Sequence, residues 1–147
     1  MTATNTGGPS CYINTCLDLV SRHDLSPLAG RFDAEASLMY CDRYGDGKWY
    51  AGLSAKEAGD REVDRKPEDH IRELLDIVAR FDERETRVWY DCEKREFNIG
   101  WQAAVRRPEG AFTIPVDVLH ELARHDATLA LTIYPSCEND FAPPSPP

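Results

Sequence analysis

The chain has 147 residues, 41% of them apolar and 29% charged, a balance that excludes a disordered or membrane-embedded chain and fits one globular domain. No run approaches the roughly 18 consecutive apolar residues that a membrane helix requires. Twenty-six acidic against seventeen basic side chains give a formal charge of −9; this argues against nucleic-acid binding, which needs clustered Lys and Arg, and while solubility is the plainer account of it, such a surface would also speed encounter with a basic partner.

The first ten residues, Met1 to Ser10, are polar and lack the basic and apolar stretches of a signal peptide. A disordered N-terminus (1–10) and a cytoplasmic location are therefore expected. A strand is expected over Cys11 to Val20. Its alternation sets Cys11, Ile13, Thr15, Leu17 and Leu19 on one face and Tyr12, Asn14, Cys16 and Asp18 on the other. Ser26-Pro27 then opens a short helix with Leu25, Leu28 and Phe32 on one side. A strand over Ala36 to Tyr44 and its return through Lys48 to Leu53 are joined by Gly45-Asp46-Gly47, whose glycines suit the positive φ angles of a hairpin turn.

Ser54 to Lys66 is charged and aperiodic, as in a loop. The strongest helix runs from Pro67 to Phe81, where Ile71, Leu74, Leu75, Val78 and Phe81 keep the spacing of a buried stripe. Two strands are expected next, near Thr86 to Glu93 and Phe97 to Val105, and an Arg107-Pro-Glu-Gly turn comes after the second. A last helix over about Val116 to His125 buries Val118, Leu119 and Leu122, and a final strand spans Ala127 to Tyr134. The ending 138–147 is proline-rich and expected to be disordered.

With no linker or repeat between residues 11 and 137, the expectation is a single α+β domain. Its antiparallel sheet carries helices on one face, and its first six elements, β-α-β-β-α-β, match a ferredoxin-like split βαβ core extended by a closing β-α-β. The run Gly47-Lys-Trp49-Tyr-Ala-Gly-Leu-Ser54, the helix ending at Phe81, and the ending Val118-Leu-His-Glu-Leu-Ala123 with Leu129-Ala-Leu-Thr-Ile-Tyr134 resemble the bacterial family catalogued as domain of unknown function 4279. The resemblance covers about residues 11–136. It implies a small α+β domain and brings no agreed activity.

No cofactor, metal or catalytic residue is expected. Five cysteines (Cys11, Cys16, Cys41, Cys92, Cys137) form no CxxC pair, and most sit in strand-like runs where a free thiol behaves as a small hydrophobe. Asp117, His120 and Glu121 share one side of the last helix, but Leu119 and Leu122 place the buried stripe opposite, so the trio faces water. His120 and His125 are too far around a helix for joint ligation, and His23-Asp24 and Asp69-His70 have no nucleophile beside them. Asp42 to Leu53 superficially matches a calcium loop, yet Tyr44 and Leu53 occupy ligand positions.

The aromatic pairs Trp49-Tyr50 and Trp89-Tyr90 stand in expected strands, so each must send one ring away from the helix-covered face, where Tyr12, Tyr40 and Tyr134 can join them. The expected partner-binding set is Trp49, Tyr50, Trp89, Tyr90, Tyr12 and Tyr134, on a non-catalytic domain of immunity or antitoxin type that binds a basic protein. The plainer account is that these rings pack across strands, cap the core or lie under a homodimer. The competing function is a small enzyme or ligand-binding domain. Its pocket between sheet and helices would be lined by Trp101, Trp49 and Tyr134, with Asp18, Asp91 or His23 supplying polar contacts.

Overall fold

The computed structural model describes residues 11–56, 66–103 and 112–135. The two ends expected to be disordered, most of the charged loop after Ser54, Arg106-Arg107, the Arg107-Pro-Glu-Gly turn and Cys137 lie outside these residues. In chain order the elements are β1 (Cys11–Ser21), α1 (Ser26–Glu35), β2 (Ser37–Arg43), β3 (Trp49–Ser54), α2 (Pro67–Ala79), α3 (Glu83–Asp91), β4 (Lys94–Gln102), α4 (Val116–Arg124) and β5 (Thr128–Tyr134). Among the described residues no helix is long and apolar enough to cross a membrane.

The five strands form one mixed sheet in the order β2-β3-β1-β4-β5. β1 is antiparallel to both β3 and β4, and β2 is antiparallel to β3. β5 runs parallel to β4, so the expected all-antiparallel sheet is corrected to a mixed one. A parallel neighbour needs a long crossover, and α4 lies in the segment that makes it. The hairpin between β2 and β3 closes with Tyr44 N–H donating to the Lys48 carbonyl at 2.9 Å. Only Gly47 of its two glycines takes a positive φ, 82°.

All four helices pack on one face of the sheet. Thr15, Leu17, Leu19 and Ser21 of β1 are buried there, as are Ala51 and Leu53 of β3 and Phe97 and Ile99 of β4. Against them sit Leu28 and Phe32 of α1, the stripe Ile71, Leu74, Leu75 and Val78 of α2, Trp89 of α3, and Val118 and Leu122 of α4. Leu119, expected in this layer, is exposed on the outer side of α4.

Two irregularities re-aim side chains. The register between β1 and β4 shifts between Tyr12 and Asn14, and that between β2 and β3 shifts between Leu38 and Tyr40. A bulge adds one residue to a strand, which inverts the simple alternation beyond it. Ile13 is thereby exposed instead of buried, and Tyr12 turns to the helix side. There its hydroxyl bonds Thr15 Oγ1 at 2.5 Å and His70 Nδ1. His70 is buried with it, a core histidine on α2 and not a surface one.

The segment expected as a strand near Thr86 to Glu93 is helix α3, so the described residues hold five strands and four helices where six and three were expected. Val88-Trp89-Tyr90 has strand propensity, but the start of the segment decides the matter. Asp82 Oδ1 accepts from Glu85 N at 2.7 Å, and Glu85 Oε1 accepts from Asp82 N at 3.0 Å, a reciprocal capping box. An Arg87–Glu83 pair at 3.0 Å continues the helix on its outer side.

Trp89 is fully buried, in edge contact with Phe81, which in turn packs edge-on against Phe32. Its indole Nε1 donates to the His125 carbonyl at 2.9 Å. Arg95, at the start of β4, binds the same corner. It donates to the carbonyls of Trp89 at 3.0 Å and Asp126 at 2.8 Å, and pairs with the Asp126 carboxylate at 2.8 Å. Asp126 is the one described non-glycine residue with positive φ, 54°, so Arg95 fixes the strained turn into β5.

Truncating Trp89 to Ala removes the largest buried ring and orphans a carbonyl. The expected loss of stability is about 3–5 kcal/mol by denaturant unfolding. A loss below about 1 kcal/mol would place this ring at the surface.

Candidate functional site

The sheet face turned away from the helices is assembled in rows by the strand register. One row is Asp42, Tyr50, Val20 and Lys94; the next is Tyr40, Gly52, Asp18, Glu96 and Thr128. A third holds Ser54, Cys16, Asn98 and Ala130. Residues directly opposite in a ladder share a face, so these side chains lie side by side. Among the described residues they carry Asp18, Asp42 and Glu96 against Lys94 alone, and Asp46 in the adjoining turn adds a fourth carboxylate.

The second row explains its glycine. A Cβ at Gly52 would fall 2.7 Å from Tyr40 Cζ and nearer still to Cε1. The absent side chain therefore lets the Tyr40 ring lie down on the strand beside it. Gly100 is similarly close to Asn14 Oδ1 at 2.9 Å and Tyr134 Cε2 at 3.5 Å, at the opposite corner of the sheet. Tyr40, Tyr44 and Tyr50 with Asp46 enclose a shallow, open depression of about 300 Å³. Tyr44 stands at 85° to Tyr50 with ring centroids 5.0 Å apart. Asp46 accepts from the Tyr50 hydroxyl at 2.5 Å and from Lys48 N at 2.9 Å.

These bonds set the charges. The Tyr50 hydroxyl, and then the Lys48 amide, hold the Asp46 carboxyl below its usual range, and the same bond pushes the Tyr50 phenol up. Tyr40 is pushed up by burial and then by Asp18. The depression thus keeps the Tyr40 and Tyr50 phenols neutral beside a carboxylate that stays ionised. Burial raises the thiols of Cys16 and Cys41, and that of Cys92 to about 11, so none of the three is an activated thiolate.

Of the six residues expected to bind a partner, the open face receives two. Tyr50 borders the depression, and Tyr134 lies at the far corner beside Gln102. Trp49 is half-buried on the helix side, because it shares the alternation of Ala51 and Leu53. Trp89 is sealed in the core and Tyr90 lies exposed on α3, its hydroxyl 3.4 Å from the Arg124 carbonyl, since that segment is helical. Tyr12 faces α2 because of the bulge. Tyr44 and the central carboxylate Asp18 were missing from the expected set. Their signal in the sequence is slight: Tyr44 is one more ring beside the Gly45-Asp46-Gly47 turn, and Asp18 is one acid among apolar neighbours.

The pocket expected between sheet and helices does not gather its residues. Trp49 and Trp101 face the helices, Asp18 and Tyr134 face away, and His23 and Asp91 are exposed elsewhere. A different groove, of about 370 Å³, opens at the start of α2 between Tyr12, Lys66, Glu68, Trp101 and Phe112. On α4, Asp117 is taken up by Arg72 at 2.6 Å, His120 is exposed, and Glu121 sits near Arg124. No cluster of three metal-ligating side chains occurs among the described residues. No family model matches the chain, and the comparisons with curated proteins and with solved structures found no match.

Asp18 is half-buried at the centre of the face, and burial holds its carboxyl above the usual range; Lys94 opposes this and Glu96 adds to it. A raised carboxyl favours the protonated form in the folded state, so stability falls as pH rises from the unfolded value near 4 through the higher folded value. Asp18→Asn is therefore expected to be more stable than the natural chain at pH 7, with the gap closing below about pH 4. Equal stability at both pH values would remove the cost assigned to this carboxylate.

Proposed function

We propose that this chain is a non-catalytic protein-binding domain, of immunity or antitoxin type, that uses the open sheet face to bind a basic protein. The observation that supports it is a solvent-facing sheet surface on which tyrosines and four carboxylates stand together. Tyr40 and Tyr44 remain exposed there with Met39, and large exposed rings on a formed surface are what interface centres are made of. The carboxylates steer a basic partner and reject an acidic one. Asp18 is kept where burial works against its charge, which is the pattern of a position held for use.

Strands β1 to β4 support a ferredoxin-like split βαβ core. β1-α1-β2 brings two parallel strands to either side of β3, and β4 flanks β1, with α3 inserted before β4 and β5 added at the edge. No activity is carried over from the resemblance to domain of unknown function 4279.

One observation favours a second reading, a small-molecule site. The groove at the start of α2 sets Trp101 and Phe112 4.7 Å apart beside the Tyr12–His70 bond, an apolar wall with polar groups at its base.

A single experiment separates these readings. The chain is used as affinity bait, the captured protein is co-purified with it, and side-chain protection in the complex is mapped by NMR. Protection of Tyr40, Tyr44 and Tyr50, with affinity falling at least tenfold in Asp18→Lys, is expected. A footprint confined to the helices, or to Trp101 and Phe112, contradicts the proposal. So does a chain that captures no protein, or one whose open face is covered by a second copy.

A further inference from the structure

We propose that the depression between Tyr40, Tyr44 and Tyr50 is a cation site that receives the ammonium of a lysine side chain on the partner. Three aromatic rings meet there with a carboxylate that has no ion pair among the described residues. Tyr40 lies on Gly52, Tyr44 is set at right angles to Tyr50, and Asp46 is bound by Tyr50 and the Lys48 amide. The Lys48 ammonium is directed elsewhere, to Glu93 at 2.9 Å, and Lys94 to Glu96 at 3.6 Å. A cation placed among such rings is attracted by their π faces, and a nearby carboxylate adds a charge that the rings do not neutralise.

The shape distinguishes an ammonium from a guanidinium. A planar guanidinium stacks in a slot between parallel faces. Rings at 85° form a corner instead. A rounded ammonium has no plane to match and fits the corner from any direction. Asp46 already accepts one bond on each oxygen, so it acts as a counter-charge and needs no donor from the guest. A methylated ammonium, which is more weakly hydrated and cannot donate as fully, fits the same site.

The inference rests on the protein-binding reading for the source of the cation, and on geometry alone for the site. The probes are blocked lysine, its trimethylated form, its neutral Nε-acetylated form, and blocked arginine. Each is titrated into the natural chain while the tyrosine ring resonances are followed by NMR. Saturable shifts confined to Tyr40, Tyr44 and Tyr50 are expected with the two ammonium forms. The trimethylated form should bind at least as tightly as lysine, arginine more weakly, and the acetylated form not at all.

Tyr44→Leu, at an exposed ring, is expected to weaken binding about two- to fivefold. Asp46→Asn should weaken it as well. Tyr50→Phe keeps the π face and frees the carboxylate, so it should bind no worse than the natural chain. Equal binding of the acetylated form, absence of ring shifts, or an unchanged affinity in Tyr44→Leu overturns the site. The two proposals fail separately. If Asp18→Lys abolishes the protein complex while Tyr44→Leu leaves it intact, the face stands and the cation site falls. If the ammonium probes bind but no protein footprint falls on this face, the reverse holds.

Discussion

The central strand β1 has neighbours on both edges but a cover on only one face. Thr15, Leu17, Leu19 and Ser21 are almost fully removed from water, whereas Cys16, Asp18 and Val20 between them are not. Because successive strand residues point to opposite faces, this asymmetry is transmitted by the ladders to β3, β4 and beyond. The helices α1 to α4 lie where the apolar half points, and the polar half is left as a surface. The Trp89–Arg95 corner then locks the helix layer to the sheet, since both residues bond to the turn between α4 and β5.

Much of this asymmetry was legible in the residues. Leu17 and Leu19 alternate with Cys16 and Asp18, Phe97 and Ile99 with Asn98 and Gly100, and the stripe from Ile71 to Val78 has helical spacing. Local devices hid the rest. Bulges at Ile13 and Met39 break a period of two without leaving a mark in composition, so Tyr12 changed faces. Trp89-Tyr90 has strand propensity, and only the reciprocal capping of Asp82 and Glu85, several residues earlier, declares a helix. The direction of β5 was within reach, because a strand, a helix and a strand in succession is the arrangement that yields parallel neighbours.

The consequence for recognition is a change of residues with the surface kept. Trp89 was absorbed by the core, where its area stabilises most, and Trp49 turned to the helix side, while Tyr40, Tyr44 and Tyr50 remained outside, where an apolar ring with a polar tip is tolerated in water. Tyr40 depends on Gly52 for its place, and Tyr50 on Asp46. The acidic turn, the glycine and the rings therefore act together: the hairpin that closes β2 onto β3 also builds the corner of the face.

Recognition through this face requires that it be open in solution. A soluble paramagnetic chelate, added while methyl resonances are recorded, reports this directly. The Met39 and Val20 methyls, on the outer side, are expected to relax strongly, and those of Leu17, Leu19 and Leu53 to stay protected. Equal protection of both sets would mean that the second side of the sheet is covered, and the account would be wrong.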